Sequence, residues 1–276
     1  MGSADAVPGI SGGTIALVIG LYRRLIDSIA TVLEYPRRRD FEALRAPLAF
    51  LLPLGLGMAT AYWLMSRLLI GPEGNPGILL HETTAPLCYG LFSGLVAVSL
   101  REPWRRIDAP QRKHLAFAGT GAVATFVVLG LPFATSAPAG WMLPVGGALA
   151  LTAMLLPGVS GSLVLVMLGQ YATIAGAVHE PRLTPLLWFG SGGLVAALVV
   201  VPRLQRLLIE RPGRTLAVLT GVMAGSLRAL WPWKASYDVR VGDLSPQFVG
   251  ENWPEVALAA LLGGLLVLAL ERFSRR

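Results

Sequence analysis

Two stretches of this chain carry the same helix-breaking string. "ADAVPGISGG" covers residues 4–13 and "AMLLPGVSGS" covers 153–162. Pro8, Gly9, Ser11, Gly12, Gly20 and Tyr22 align with Pro157, Gly158, Ser160, Gly161, Gly169 and Tyr171 at a constant offset of 149. Proline lacks the amide donor and clashes with the preceding turn, so each copy interrupts a helix. Both interruptions fall in a chain of 276 residues that is 54% hydrophobic and 14% charged. Soluble domains carry about a quarter charged residues. A broken helix in hydrocarbon leaves polar backbone groups that only protein or a wet cavity can satisfy. The fold must therefore shelter such a break twice.

The apolar residues come in blocks, such as "APLAFLLPLGLGMATAYWLMSRLLI" and "VALAALLGGLLVLAL". They predict an all-α polytopic membrane protein with six full spans, at about 47–70, 85–100, 115–133, 185–202, 215–231 and 255–271. Breakers follow Met1 directly, so no cleavable signal peptide is expected. Cys88 is the only cysteine, which excludes a disulfide within the chain. No histidine or cysteine cluster suggests zinc, and no cofactor is expected. The net charge of +7 sits in short loops between apolar blocks, which argues against nucleic acid as a partner.

Eighteen of the 23 Lys and Arg residues lie in four places: 23–46, 101–114, 203–214 and the C-terminus. The positive-inside rule makes these cytoplasmic. The segments near 71–84, 134–142, 176–184 and 232–254 are poor in Lys and Arg and should face outward. With 185–202 as a span, the 143–175 segment has to return to the side it came from. Its arms of about 13 residues reach about 20 Å each, short of the roughly 30 Å hydrocarbon core. A re-entrant hairpin follows, with "PGVSGS" at its tip.

A further match pairs "GLFSGLVAVSL" (90–100) with "GVMAGSLRALW" (221–231), aligning Gly90 with Gly221 and Gly94 with Gly225. Each half then reads as a hairpin and three spans, and three spans invert the second half. The repeats are 1–134, with a hairpin at about 1–28, and 135–276, with a hairpin at about 143–178. Inverted repeats with broken helices are the build of secondary transporters; a duplication that kept only packing glycines is the alternative. Seven residues precede Pro8, whereas a full arm precedes Pro157. The first arm is therefore expected to be cut short, with Met1 an internal methionine or a trimmed start.

In "PGISGG" the Pro-Gly pair ends the incoming half-helix, Ser11 caps the outgoing one, and Gly12 and Gly13 leave amides open to close approach. A helix N-terminus in low dielectric attracts an anion, and two facing ones suit a phosphate. The candidate phosphate-binding residues are Pro8, Gly9, Ser11, Gly12, Gly13, Pro157, Gly158, Ser160, Gly161 and Ser162. Arg228, in "GSLRALWPW", lies near the outer end of a span, where it binds a head group or snorkels to the interface. Asp5 is the candidate for proton or cation coupling, or else a solvent-facing cap. Its counterpart is Met154, which puts it outside the repeated cradle. Trp231 and Trp233 read as interface anchors, and Asp238, Asp243, Glu251 and Glu255 as a solvated face.

"GISGG" also fits the G-x-S-x-G elbow of serine hydrolases and resembles the nucleophile motif of rhomboid proteases. A nucleophilic serine of that kind needs a base. His81, His114 and His179 fall in loops or at span ends, and the second copy breaks the elbow pattern. An intramembrane hydrolase is the weaker alternative.

"ADAVPGISGGTIALVIGLYRRLI", "LLPGVSGSLVLVMLGQY" and "GVMAGSLRALWPW", in that order, resemble the bacterial membrane family once called domain of unknown function 368, associated with undecaprenyl phosphate translocases of the PopT type. The resemblance covers essentially the whole chain. It implies a non-enzymatic flippase of the bacterial inner (plasma) membrane, with undecaprenyl phosphate as its lipid partner. It further implies movement from the outer to the cytoplasmic leaflet, recycling the carrier for cell-wall synthesis. A transporter of a small anion and a non-transporting lipid-binding scaffold remain the other readings.

Overall fold

The computed structural model describes residues 1–5, 11–69, 77–134, 139–179, 182–237 and 245–274. The first half holds α1 (Gly2–Asp5), α2 (Gly12–Val18), α3 (Tyr22–Arg38), α4 (Glu42–Leu69), α5 (Ala85–Ser99), α6 (Arg101–Arg105) and α7 (Arg112–Val128). The second holds α8 (Leu143–Leu155), α9 (Gly161–Met167), α10 (Tyr171–His179), α11 (Leu183–Glu210), α12 (Pro212–Ser226) and α13 (Trp253–Ser274). A 3-10 turn, Leu227–Leu230, continues α12. Among the described residues there is no strand, only an isolated bridge between Lys234 and Pro246.

Among the described residues, three helices are long and apolar enough to cross a membrane: α4, α11 and the Trp253–Arg272 part of α13. They turn Leu52, Leu56, Leu187, Leu198, Leu261 and Leu265 outward, as a lipid-facing surface does. The other three expected spans are shorter. The helices α5, α7 and α12 have 15, 17 and 15 residues, or about 22–26 Å. The Ser99 hydroxyl donates to the Leu95 carbonyl and the Ser226 hydroxyl to the Met223 carbonyl, each in the last turn. After α7 come Gly130 and Pro132, which cannot extend it.

The outgoing arms after the breaks are also shorter than expected. Helices α2 and α9 stop after seven residues. Gly20 (φ +79°) and Gly169 (φ +66°) then turn the chain. The Leu21 amide reaches the Ala16 carbonyl at 2.8 Å, and Gln170 reaches Leu165 at 2.8 Å. This is one C-terminal motif used twice, at a backbone conformation that glycine enters without strain. The expected continuous arms are thus two helices each, α2 with α3 and α9 with α10.

The halves interlock. Helix α5 lies along α13, α12 along α7, α8 along α11 and α1 along α4. A Cβ on Gly94 would run into the Ala260 carbonyl, and one on Gly221 into that of Ala118. One on Gly263 would meet Leu91, and one on Gly121 would meet Val218. Backbones approach this closely only where the side chain is hydrogen. These four contacts pair α5 with α12 at an offset of 127 and α7 with α13 at 142. Gly94 therefore matches Gly221, Ser99 matches Ser226, and Arg101 matches Arg228. The sequence match of Gly90 with Gly221 and Gly94 with Gly225 differs from this packing match by one helical turn. Glycines four apart on both helices match in either register, and only the helix ends and partners separate them.

Both large cores mix the halves. One gathers Val18, Leu79, Tyr89, Val96, Leu230 and Tyr237. The other gathers Leu17, Tyr22, Ile26, Leu155, Leu219 and Met223.

Candidate functional site: two facing helix breaks

The interlock brings the two breaks together. The Gly158 amide donates to Thr14 Oγ1 at 2.8 Å, joining the second break to the first turn of α2. The Tyr22 hydroxyl donates to the Leu155 carbonyl at 2.6 Å. A Cβ on Gly13 would lie 3.7 Å from the Pro157 Cα. Ser11, Thr14, Ser160 and Ser226 are all buried there. Gly158 has φ +93°, and a Cβ on it would come within 2.7 Å of Met223 Cα and 2.8 Å of Ser226 Oγ. Only glycine fits at this position. Pro8 and Gly9 lie outside the described residues.

The first break has its amides occupied. Ser11 is the N-cap of α2 in extended conformation, and its Oγ accepts from the Gly13 amide at 3.1 Å. The expected capping role holds. The Gly12 amide donates to Asp5 Oδ1 at 2.6 Å. Asp5 is expected outside the cradle because its counterpart is a methionine; its carboxylate instead holds the cradle's first amide.

The second break is built differently. Ser160 holds the same extended N-cap backbone but makes no cap bond. Its hydroxyl lies 2.8 Å from that of Ser162. Met154 stands where Asp5 stands in the first copy: a Cβ on Gly161 would be 2.6 Å from Met154 Cγ. A thioether is only a weak acceptor.

Arg228 sits apart from the breaks, on the 3-10 turn two residues beyond Ser226. Its guanidinium lies 4.5 Å from the centre of the Phe126 ring, in the space left by Gly130. No carboxylate pairs with it among the described residues. Trp231 Nε1 donates to the Gln247 carbonyl and Trp233 Nε1 to Asn252 Oδ1, so both tryptophans tie down their own loop. No histidine hydrogen-bonds Ser11 or Ser160 among the described residues; His114 Nδ1 is taken by the Gln111 amide at the start of α7.

Sequence reading missed two contributors. Thr14 has no counterpart in the second copy, where Leu163 stands, so the repeat comparison passed over it. Lys234 lies in the segment between α12 and α13, buried with its Nζ donating to the Ala229 carbonyl at 2.7 Å and 3.6 Å from the centre of the Tyr89 ring. Burial pushes its ammonium down to about 7. A lone lysine beside tryptophans carries no sequence signal of burial.

Fold and site together define a polytopic helical membrane protein whose centre is a pair of facing helix breaks. The sequence model of the family described as undecaprenyl phosphate translocase-like matches residues 1–247, and the chain belongs to that family. A polyprenyl-phosphate transporter of Vibrio cholerae is 32% identical over 253 residues, covering 90% of this chain and 80% of the relative. A polyprenyl-phosphate transporter of Staphylococcus aureus is 31% identical over 252 residues, covering 84% and 83%. No solved structure matches the chain.

Proposed function

We propose that the protein flips undecaprenyl phosphate, or a closely related polyprenyl phosphate, from the outer to the cytoplasmic leaflet of a bacterial inner membrane, returning the carrier to cell-wall synthesis. The family and the names of both relatives support this substrate class. The observation that carries the mechanism is the Gly158–Thr14 hydrogen bond, which puts two helix starts at one buried place. A flippase must hide a phosphate from hydrocarbon while its tail stays in lipid. In this reading each break is the tip of a re-entrant hairpin, and the halves are inverted repeats offering one cradle to each leaflet in turn. The exchange of packing partners between halves supports the repeat.

The phosphate oxygens take the α9 amides at Gly161 and Ser162, with the Ser160 hydroxyl, where no cap competes. At the first break the phosphate meets Asp5, which holds the Gly12 amide. A proton on Asp5 releases that amide, and this couples phosphate binding to proton uptake. Arg228 serves capture on the outer side. The chemistry asked of these groups is binding and release, with no covalent step.

The test is transport of labelled undecaprenyl phosphate in proteoliposomes. The wild-type chain should speed its movement, and the Ser160→Ala, Gly161→Ala double variant should not. Equal rates in both would leave the breaks as packing elements. Transport of a small anion in place of the lipid would favour the small-anion reading.

A further inference from the structure

The register fixed by the glycine contacts has a consequence at the other end of the molecule. Arg101 corresponds to Arg228: each stands two residues beyond the buried serine that ends α5 or α12. The α7–α13 register likewise matches Phe126, Leu129 and Gly130 with Leu268, Glu271 and Arg272. The place where Arg228 lies over Phe126 therefore has a counterpart, and that counterpart is a pocket of about 280 Å³ lined by Arg101, Arg105, Leu268, Glu271 and Arg272.

The two places are filled differently. Arg228 rests on an aromatic ring in the room left by a glycine. In the pocket, leucine replaces the ring and arginine replaces the glycine, so there is no surface for Arg101 to stack on. Three guanidinium groups face one carboxylate. Arg105 reaches Glu271 Oε2 at only 3.7 Å, and the buried Glu271 Oε1 has no hydrogen-bond partner. Arg101 and Arg272 have no acidic partner among the described residues. Guanidinium forks in this arrangement match the three terminal oxygens of a phosphate monoester. The single carboxylate fixes Arg105 and, being of like charge, keeps a bound phosphate from being held too tightly to leave.

We propose that this pocket is a second phosphate station, binding the phosphate monoester head group of the lipid at the end of the molecule opposite Arg228. The inference rests on the proposed lipid-phosphate transport and names where the head group is handed over. By the distribution of basic residues that end is the cytoplasmic one.

The probe is farnesyl monophosphate, titrated calorimetrically into the full chain in detergent. Arg101→Gln with Arg272→Gln should weaken binding at least tenfold. Leu268→Phe leaves every charge in place but rebuilds the ring of the opposite site; it should let Arg101 stack, close the pocket and weaken binding similarly. Glu271→Gln should tighten it severalfold. Inorganic phosphate should compete weakly, and phosphatidylglycerol, a diester, should not compete. Unchanged affinity in both the arginine and Leu268→Phe variants, with elution and melting as in wild type, overturns the proposal. So does equal competition by phosphatidylglycerol, which marks a general anionic-lipid surface. If the pocket variants lose binding while wild type fails to move undecaprenyl phosphate in liposomes, the pocket stands and the transport reading falls. No binding by wild type overturns the pocket, and the liposome assay alone then decides the transport reading.

Discussion

The first and second breaks share a sequence pattern and an extended serine N-cap, yet they satisfy their amides in opposite ways. At the first, Asp5 and Ser11 take the Gly12 and Gly13 amides. At the second, Ser160 pairs with Ser162 and a methionine stands in for the aspartate. One helix start carries its own anion and the other has none beside it. A duplicated motif is thus not a duplicated site: the partner seven residues upstream decides whether the cradle is closed or open.

The sharpest way to break this comparison is to add a methyl group at each helix start. A Cβ on Gly161 would lie 2.9 Å from the Ala150 carbonyl oxygen as well as against Met154, whereas the nearest atoms to one on Gly12 all belong to the Asp5 side chain. Backbone cannot step aside, but a carboxylate can. Gly161→Ala should cost about 1–3 kcal/mol of stability, the range for overpacking, and Gly12→Ala distinctly less; thermal unfolding of the purified proteins measures both. The reverse order would mean that the second break is the more pliable one.

Met154→Asp would make the second break resemble the first. With its α9 amides occupied, affinity for a polyprenyl monophosphate should fall about tenfold, or about 1.4 kcal/mol. Unchanged affinity in a direct binding assay would show that the open amides do not hold the ligand. Ser11→Ala removes a made cap and should cost about 1 kcal/mol of stability. Ser160→Ala removes no cap, only the bond to Ser162, so its stability cost should be the smaller of the two while binding weakens.

The smallest effect on transport is expected from Lys234→Met. Lys234 offers a second source of pH dependence, with its ammonium over the Tyr89 ring. Its folded value of about 7 lies below the ordinary 10.5, so the native state releases the proton first. Stability then rises with pH between these values, and the burden of a buried charge is fully present below pH 7. Lys234→Met should stabilise the protein at pH 6, do little above pH 10.5, and leave the pH response of transport to Asp5→Asn. A transport profile altered by Lys234→Met alone would move the coupling away from the first break.

Local chemistry was legible in the sequence. Proline and glycine mark their breaks wherever they stand, and Ser11 caps because three residues suffice to form the cap. The Gly20 and Gly169 alignment already held the two turns, although a helix drawn through them hid their meaning. Whatever depends on distant partners was not legible. Asp5 holds the Gly12 amide seven residues on, a contact that no local pattern announces. The sequence match and the packing match of α5 with α12 differ by one turn because the glycines recur every four residues. Lys234 is buried by Tyr89, which lies 145 residues earlier.

The exchange of partners also sets an order of assembly. Helix α5 is finished at Ser99, but α13, which covers its glycine face, begins at Trp253. At a synthesis rate of about 5–20 residues per second, the face waits roughly 10–30 s for its cover. Helix α7 waits likewise for α12. Until then each carries a strip of bare backbone with only lipid or the insertion machinery against it. A ribosome stalled midway would leave a half that is inserted but has nothing to close on, and quality control would meet it as an unfinished molecule.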